Sequence, residues 1–202
     1  MRSPYFMLHT SYSKAKGFTL VELMVTIGIF VIMTALILAR YNSFGTGTIL
    51  TNMAYDIALT IRQAQTYGLS VKSNEGAGFN AAYGVHFNSN LSNFKNFILF
   101  TDANGDGIYG SGDDVIASYT LKQGAKISSM CVGSGSSCDA ENNAQNIDIT
   151  FKRPDPKAII CTTDTNHCNL AYAKITISSA DGTSRRDIFV TKVGQISLVT
   201  NP

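Results

Sequence analysis

The sequence has little charge of either sign. Its 202 residues include 16 Lys and Arg and 14 Asp and Glu, so the formal net charge at pH 7 is +2. Residues 1–17 hold three of the basic residues and no acidic ones, which leaves 13 basic and 14 acidic residues and a net charge of −1 for the rest. A general nucleic-acid binder relies on many cationic contacts to phosphates. The near-neutral body therefore argues against that class.

A recognisable set of catalytic residues is also missing. The three histidines are His9 near the N-terminus, His86 in a predicted strand, and His167 between two cysteines. The serines at 134, 136 and 137 have glycine neighbours but lack the strand–turn–helix context of a nucleophile elbow. We predict that the protein is not an enzyme.

What the sequence does contain is one long apolar run, residues 18–39, in which Glu22 is the only charged residue. A helix of this length extends about 33 Å, enough to cross a bilayer core of about 30 Å. A carboxylate inside the run is costly in lipid, by about a few kcal/mol near the centre and less near the end. Glu22 therefore implies a partner, which an ordinary single-pass anchor would not supply. A secretory signal fits less well, because its apolar region is shorter and its cleavage site follows that region.

Cleavage of the chain after Gly17 would supply the partner. Phe18 would then carry the new N-terminal ammonium, one helical turn from Glu22. The two charges can pair, most usefully between neighbouring copies or relatives.

Residues 14–23, KAKGFTLVEL, resemble the class III signal of type IV prepilins and type II secretion pseudopilins. The resemblance implies that a prepilin peptidase cuts after Gly17, that Phe18 is then N-methylated, and that Glu22 guides docking to other pilins. It also implies contact with an inner-membrane assembly platform. The expected location is the bacterial inner membrane, which the chain crosses once. Because basic flanks stay in the cytoplasm, we expect the C-terminal domain in the periplasm, with the protein assembled into a pilus or pseudopilus. We expect a cleaved leader at 1–17, a transmembrane or filament-core segment at 18–46, and a globular pilin-like domain at 47–202.

The next segment, from residue 48 to about 71, has an apolar stripe at four-residue steps. Such a stripe is typical of a helix that packs on its own sheet, although it could also bind a partner. Many major pilins have a proline in the outer half of this helix, whereas this chain has none between Pro4 and Pro154. Any melting is therefore expected at Gly45 and Gly47, each of which lowers helix propensity by about 1 kcal/mol. The stripe consists of Ile49, Leu50, Met53, Ala54, Ile57, Ile61 and Ala64.

Short runs with strand-like alternation follow, which indicates half-buried antiparallel strands. Asp181-Gly182 is a typical hairpin turn between two of them. The predicted fold class is α+β, with a long N-terminal helix packed on an antiparallel β-sheet domain. The predicted strands are 82–87, 96–101, 115–121, 125–130, 147–151, 158–161, 171–178, 187–191 and 195–199.

Three short motifs narrow the resemblance to the GspH/FimT branch, which holds minor pilins and minor pseudopilins. They are IRQAQ at 61–65, YGVHF at 83–87 and GQIS at 194–197. The resemblance implies a minor pilin that helps to initiate or cap a type IV pilus. The alternatives are a GspH-like minor pseudopilin of a type II secretion system and a FimT-like minor pilin that binds DNA during uptake.

All four cysteines, Cys131, Cys138, Cys161 and Cys168, lie in the last third of the chain. The even count and a domain outside the cytoplasm favour disulfides. The simplest pairing is 131–138 and 161–168, although crossed pairings stay open. Zinc, with His167 as an extra ligand, is the less favoured alternative because the spacings exceed the usual C-x2-4-C.

Residues 102–113 follow the spacing of a twelve-residue calcium loop. The expected ligands are Asp102, Asn104, Asp106, the Ile108 carbonyl and Asp113. The alternative is an ordinary turn rich in Asp, Asn and Gly.

Basic residues also gather late in the sequence, including the pair Arg185-Arg186. Some members of the resembled branch bind DNA through basic residues near the C-terminus. A solvated surface is the favoured interpretation, because the Gly-Arg-x-Arg type of cluster is absent.

Overall fold

A computed structural model describes residues 17–70, 81–89, 94–133, 144–163 and 168–200, with side chains left undescribed at 40–46 and 200. The chain divides into two compact units, residues 1–42 and 43–202. In the first unit, the helix α1 begins at Leu20. Its apolar side chains are exposed in the described part of this unit.

Helix α1 spans Leu20–Leu69 and therefore enters the second unit as well. It continues through Gly45 and Gly47, so the melting expected at the glycines is not present. Two glycines cost a helix about 2 kcal/mol in propensity, too little by itself to end a helix that flanking residues continue. The helix ends two residues before the predicted position, at Leu69.

In the described residues nine antiparallel strands follow and form two sheets, which confirms the predicted α+β class. The first sheet has the order β3-β2-β1-β5-β6 and the second the order β4-β7-β8-β9. The strands are β1 Ala82–Asn88, β2 Asn96–Asp102, β3 Asp114–Thr120, β4 Lys126–Gly133, β5 Asn146–Lys152, β6 Asp155–Cys161, β7 Tyr172–Ser178, β8 Arg185–Thr191 and β9 Ile196–Thr200.

Each predicted strand is present, and the differences lie at the ends. Strand β6 begins at Asp155 and β8 at Arg185, earlier than the apolar pattern indicated. In both cases polar residues pair across a hairpin: Asp155 lies opposite Lys152, and Arg185 lies opposite Ser178. Alternation of apolar residues does not detect such positions, because backbone pairing alone holds them in the sheet.

The apolar stripe of α1 packs inside the second unit, which confirms that the helix lies on its own sheets. Leu50, Ile57 and Ile61 are at most 1% exposed. They share one core cluster with residues of both sheets, such as Val85 of β1 and Ile175 of β7. A helix face that buries this much apolar surface is held mainly by packing.

A buried amide fixes the end of this helix to strand β6 and to the β8–β9 turn. Gln65, 6% exposed, donates from Nε2 to the carbonyl oxygens of Pro156 at 3.0 Å and Gly194 at 3.2 Å. Its Oε1 accepts from Arg62 Nη1. Gly194 has a φ of 86°, and a Cβ there would lie 2.3 Å from the Pro156 oxygen. Only glycine fits that backbone and that space.

We expect Gln65→Ala to destabilise the protein by about 2 kcal/mol, because two carbonyls would lose their donor in a buried site. Chemical unfolding of the full chain in detergent, followed by circular dichroism, measures the change. Thr66→Ala is the matched control, since Thr66 is exposed and its hydroxyl bonds only locally to the Arg62 carbonyl. Equal unfolding free energies for the two variants would contradict the role given to Gln65.

Candidate functional site

The expected cleavage site lies in exposed, non-helical chain. Residues 17–19 precede the helix, and the Phe18 side chain is 80% exposed. Apart from the chain neighbours of Gly17, no heavy atom of the described residues lies within 4 Å of the position that a Cβ on Gly17 would take. The bond between Gly17 and Phe18 is therefore open to approach from several sides.

Thr19 caps the first turn of α1. Its Oγ1 accepts a hydrogen bond from the Glu22 backbone nitrogen at 3.2 Å, and its carbonyl accepts one from the Leu23 nitrogen at 3.1 Å. Glu22 therefore occupies the third helical position, where the positive end of the helix dipole stabilises a carboxylate. The sequence reasoning missed this contribution of Thr19, although the pattern Thr-x-x-Glu is the signature of a capping box.

The helix that follows can serve as a membrane span. Over Leu20–Ala39 it is long and apolar enough to cross a bilayer, and none of that window is buried within the chain. Glu22 stands near the start of this span. Thus the described N-terminal unit presents an exposed Gly17–Phe18 bond, a carboxylate in the capped first turn of the helix, and an uncovered apolar helix.

The predicted calcium loop is held together by its own backbone. Asp102 accepts hydrogen bonds from the nitrogens of Gly105 at 2.6 Å and Gly107 at 2.9 Å. Asp113 accepts from Ala103 at 3.0 Å and from Gly110 at 2.8 Å. The two carboxylates therefore tie together both ends of the turn.

The middle of the loop is bonded in the same way. Asn104 Oδ1 accepts from the Asp106 nitrogen at 3.0 Å, and Asp106 Oδ1 accepts from the Ile108 nitrogen at 2.8 Å. Burial raises the pKa of Asp102, and the neighbouring Asp113 and Asp106 add to this rise, while bonds from Gly105 and Gly107 lower it. Within the described residues no group of three or more His, Cys, Asp or Glu side chains is placed to hold a metal. Calcium binding stays a prediction.

This loop covers the outer face of the five-stranded sheet. Gly107 is buried, and a Cβ there would lie 3.2 Å from Cys161 Sγ and 3.6 Å from Thr150 Oγ1. The Tyr109 ring lies 4.9 Å from the His86 ring and 5.2 Å from the Phe100 ring, measured between centroids. As a result β1 is buried on both faces.

Beneath the loop, His86 and Asp148 form a buried pair. Nδ1 of His86 lies 2.7 Å from Oδ1 of Asp148, and the two side chains are 8% and 0% exposed. Burial raises the pKa of Asp148; bonding to His86 and the backbone of Tyr109 oppose the rise, and Asp106 adds to it. His86 thus has a structural partner, which the sequence reasoning did not identify because Asp148 lies 62 positions away.

Cys161 and Cys168 form a disulfide, with their Cα atoms 4.1 Å apart. Cys131 is disulfide-bonded as well, while Cys138 and His167 lie outside the described residues. A cysteine in a disulfide offers no thiolate to a metal. Zinc binding by Cys161 and Cys168 is therefore excluded in this state.

The two arginines proposed for DNA binding differ in their surroundings. Arg185 is exposed, whereas Arg186 donates from Nε to Thr51 Oγ1 on α1 at 3.0 Å and from Nη1 to the Arg185 carbonyl at 2.7 Å. Arg186 thus helps to hold β8 against the helix. DNA binding stays a prediction.

The architecture defines the class to which these features belong: an α+β protein whose long N-terminal helix has an uncovered apolar first part and a second part packed on antiparallel sheets. Residues 12–38 match the family described as the prokaryotic N-terminal methylation motif. No curated protein and no solved structure matches the chain. The chain carries the class III signal and is consistent with a type IV pilin-like protein. The motif supports a structural protein of the pilin or pseudopilin type rather than an enzyme. It fits membrane anchoring and processing by prepilin peptidase.

The buried pair gives the globular unit a specific pH dependence. Because the folded pKa of Asp148 is raised above its ordinary value of about 4, the folded chain binds that proton more tightly than the unfolded chain. The contribution to stability is therefore lost as the pH rises from the ordinary value through the raised one. We expect Asp148→Asn to remove its own part of this fall and to leave the part due to Asp102, whose pKa is also raised, measured as unfolding free energy against pH from about 4 to about 7. Asp56→Asn, at an exposed carboxylate, should leave the profile of the native chain unchanged; a native-like profile in Asp148→Asn would contradict the assignment.

Proposed function

We propose that this protein is a minor pilin of a type IV pilus, a structural subunit that helps to start or cap the filament. The observation that carries the proposal is the processing signal at residues 12–38, directly continuous with a helix whose second part is built into an antiparallel β domain. The three motifs typical of the GspH/FimT branch support the minor rather than the major type of subunit.

The signal and the helix together give a mechanism for assembly. Cleavage after Gly17 creates an ammonium on Phe18, immediately before the Thr19 cap. An unpaired Glu22 carboxylate in lipid is costly, while the ammonium of a neighbouring subunit would neutralise it. Docking beside another pilin thus removes an unfavourable charge, and the uncovered helix gains contacts along its length.

The motifs within the body act as internal supports of the domain. Gln65 of the first motif contacts Gly194 of the third. In the second motif a Cβ on Gly84 would lie 2.5 Å from Thr150 Cγ2, so neighbouring strands need a glycine there. These contacts produce a stable periplasmic head, carried by the helix that enters the membrane.

Processing is the first test of the proposal. Coexpression with a prepilin peptidase should remove residues 1–17 and leave Phe18 as a methylated N-terminus, because that bond is exposed and follows the basic leader. Mass spectrometry of the membrane fraction measures both changes. Gly17→Val serves as the control that should stay uncut. An intact leader in the native chain, or cleavage beyond residue 39, would overturn the proposal.

The second test addresses Glu22. Glu22→Ala should preserve membrane insertion and folding, since it removes a charge from the span, but should greatly reduce incorporation beside other pilins. Incorporation is measured by copurification of assembled subunits from sheared filaments and membranes. Glu22→Asp, which retains the charge, should keep part of it. Normal assembly of the alanine variant would contradict the role given to the Glu22 carboxylate. Copurification with subunits of a type II secretion system would instead assign the protein to a pseudopilus.

A further inference from the structure

The disulfide between Cys161 and Cys168 joins a buried residue to an exposed one. Cys161, the last residue of β6, is 0% exposed, whereas Cys168 lies in exposed chain. Asn169, which follows it, is exposed as well. The two ends of one covalent bond therefore differ in what can reach them, because a reagent in solution can approach Cys168 but not Cys161.

The loop of residues 103–113, which we call the cover, closes off Cys161. A Cβ at Gly107, in the middle of the cover, would lie 3.2 Å from Cys161 Sγ and 3.4 Å from Ile159 Cγ2. Gly107 is itself buried and has a φ of 83°, so a side chain there would lack both the space and the backbone conformation it needs. The cover thus packs directly on the sulfur of Cys161.

Two carboxylates hold the cover in this position. Asp102 accepts a hydrogen bond from the Gly107 nitrogen at 2.9 Å, which fixes the residue that lies on Cys161. Asp113 accepts from the nitrogens of Ala103 at 3.0 Å and Gly110 at 2.8 Å, which joins the two ends of the cover. Breaking these bonds would free the cover and expose the sulfur beneath it.

This arrangement determines how the bridge can react. In thiol–disulfide exchange a thiolate attacks one sulfur and expels the other as a thiolate. The cover blocks attack on Cys161 Sγ. Attack on Cys168 Sγ would expel the Cys161 sulfur into a site closed to solvent, which is unfavourable for a charge. The residue opposite Cys161 in the β5–β6 register is Asp148, an acid, so that position supplies no positive charge in compensation.

We propose that disulfide exchange reaches this bridge through Cys168 alone, and that the bridge forms before the cover closes over Cys161. The reagent that forms the bridge is itself a disulfide, which the chain reduces. The inference goes beyond the proposed function and does not depend on it, because it concerns the bridge of the globular unit and not the processing or docking of the helix.

The reaction has two steps that balance. The Cys168 thiolate first attacks the disulfide oxidant; the S–S bond of the oxidant breaks, one half leaves as a thiolate, and the other half stays on Cys168 as a mixed disulfide. The Cys161 thiolate then attacks Cys168 Sγ and expels the second half. The two cysteine thiols lose two protons and two electrons, and the oxidant becomes two thiols. The second step needs Cys161 to be uncovered.

Two variants of the full-length chain in detergent test which cysteine reacts. Cys161→Ala leaves Cys168 free, and Cys168→Ala leaves Cys161 free. With oxidised glutathione, the chain that keeps Cys168 should form a mixed disulfide at least about tenfold faster, because exchange depends on access to the thiol. In urea the two rates should become equal. Mass spectrometry of tryptic peptides identifies the modified cysteine, and circular dichroism checks the fold. Equal rates in the folded chains would overturn the inference.

Reduction of the native bridge tests the cover. Asp113→Ala removes both bonds that join the ends of the cover and should speed reduction by dithiothreitol about five- to tenfold, because local opening exposes Cys161. Asp181→Ala is the matched control, since Asp181 accepts from the Thr183 nitrogen at 3.1 Å in the β7–β8 hairpin of the other sheet. Its rate should equal that of the native chain. The unfolding free energies of both variants are measured first, and rates are compared at equal stability in urea. An unchanged rate in Asp113→Ala would contradict the role of the cover.

The time at which the oxidant is added tests the order of events. Reduced chain that receives oxidised glutathione before refolding should form the Cys161–Cys168 bridge. Chain that is refolded first should stop at the mixed disulfide on Cys168, and this species should persist about tenfold longer than in Asp113→Ala. A reduced chain that cannot refold supports the same order, because closure then requires the bridge. Equally fast bridge formation under both conditions would overturn the proposed order.

Discussion

The apolar stripe of α1 is the constraint on which the globular unit depends. Leu50, Ile57, Ile61 and Ala64 are each at most 1% exposed and belong to one core cluster with residues of both sheets. The five-stranded and four-stranded sheets thus bury their inner faces against the same helix. Since the stripe occupies one side of the helix only, the opposite side is left exposed to solvent, and Leu59 lies there.

Gln65 adds specificity to this packing. A buried amide stabilises a fold only when its donors and acceptor are paired, and here the partners come from Arg62, Pro156 and Gly194. The amide consequently ties the helix to strand β6 and to the β8–β9 turn at a defined position. Arg186 makes a second polar connection, from β8 to Thr51. The second part of the helix is therefore held to the sheets by polar bonds at several points as well as by apolar packing.

The outer face of the five-stranded sheet is covered by a loop and not by the helix. Residues 103–113 fold over it through their own carboxylate and amide bonds, and Gly107 and Tyr109 make the closest approach to the strands. This cover explains why polar residues such as His86 and Asp148 are buried at positions that alternation assigns to solvent. The pair is tolerated because each group is the other's partner in a site that excludes water.

The sequence by itself indicated the methylation motif that contains Gly17, Phe18 and Glu22, the apolar helix and its stripe, and the nine strands of the described residues. All of these follow from local periodicity or from residues within a few positions of one another. Tertiary structure alone decided which sheet each strand joined, that Asp148 meets His86, that Arg186 is bonded to Thr51, and that Gln65 reaches Gly194. Those partners are separated by 62 to 135 positions. No local pattern encodes such pairs, because they form only after helix and sheets have packed around their common core.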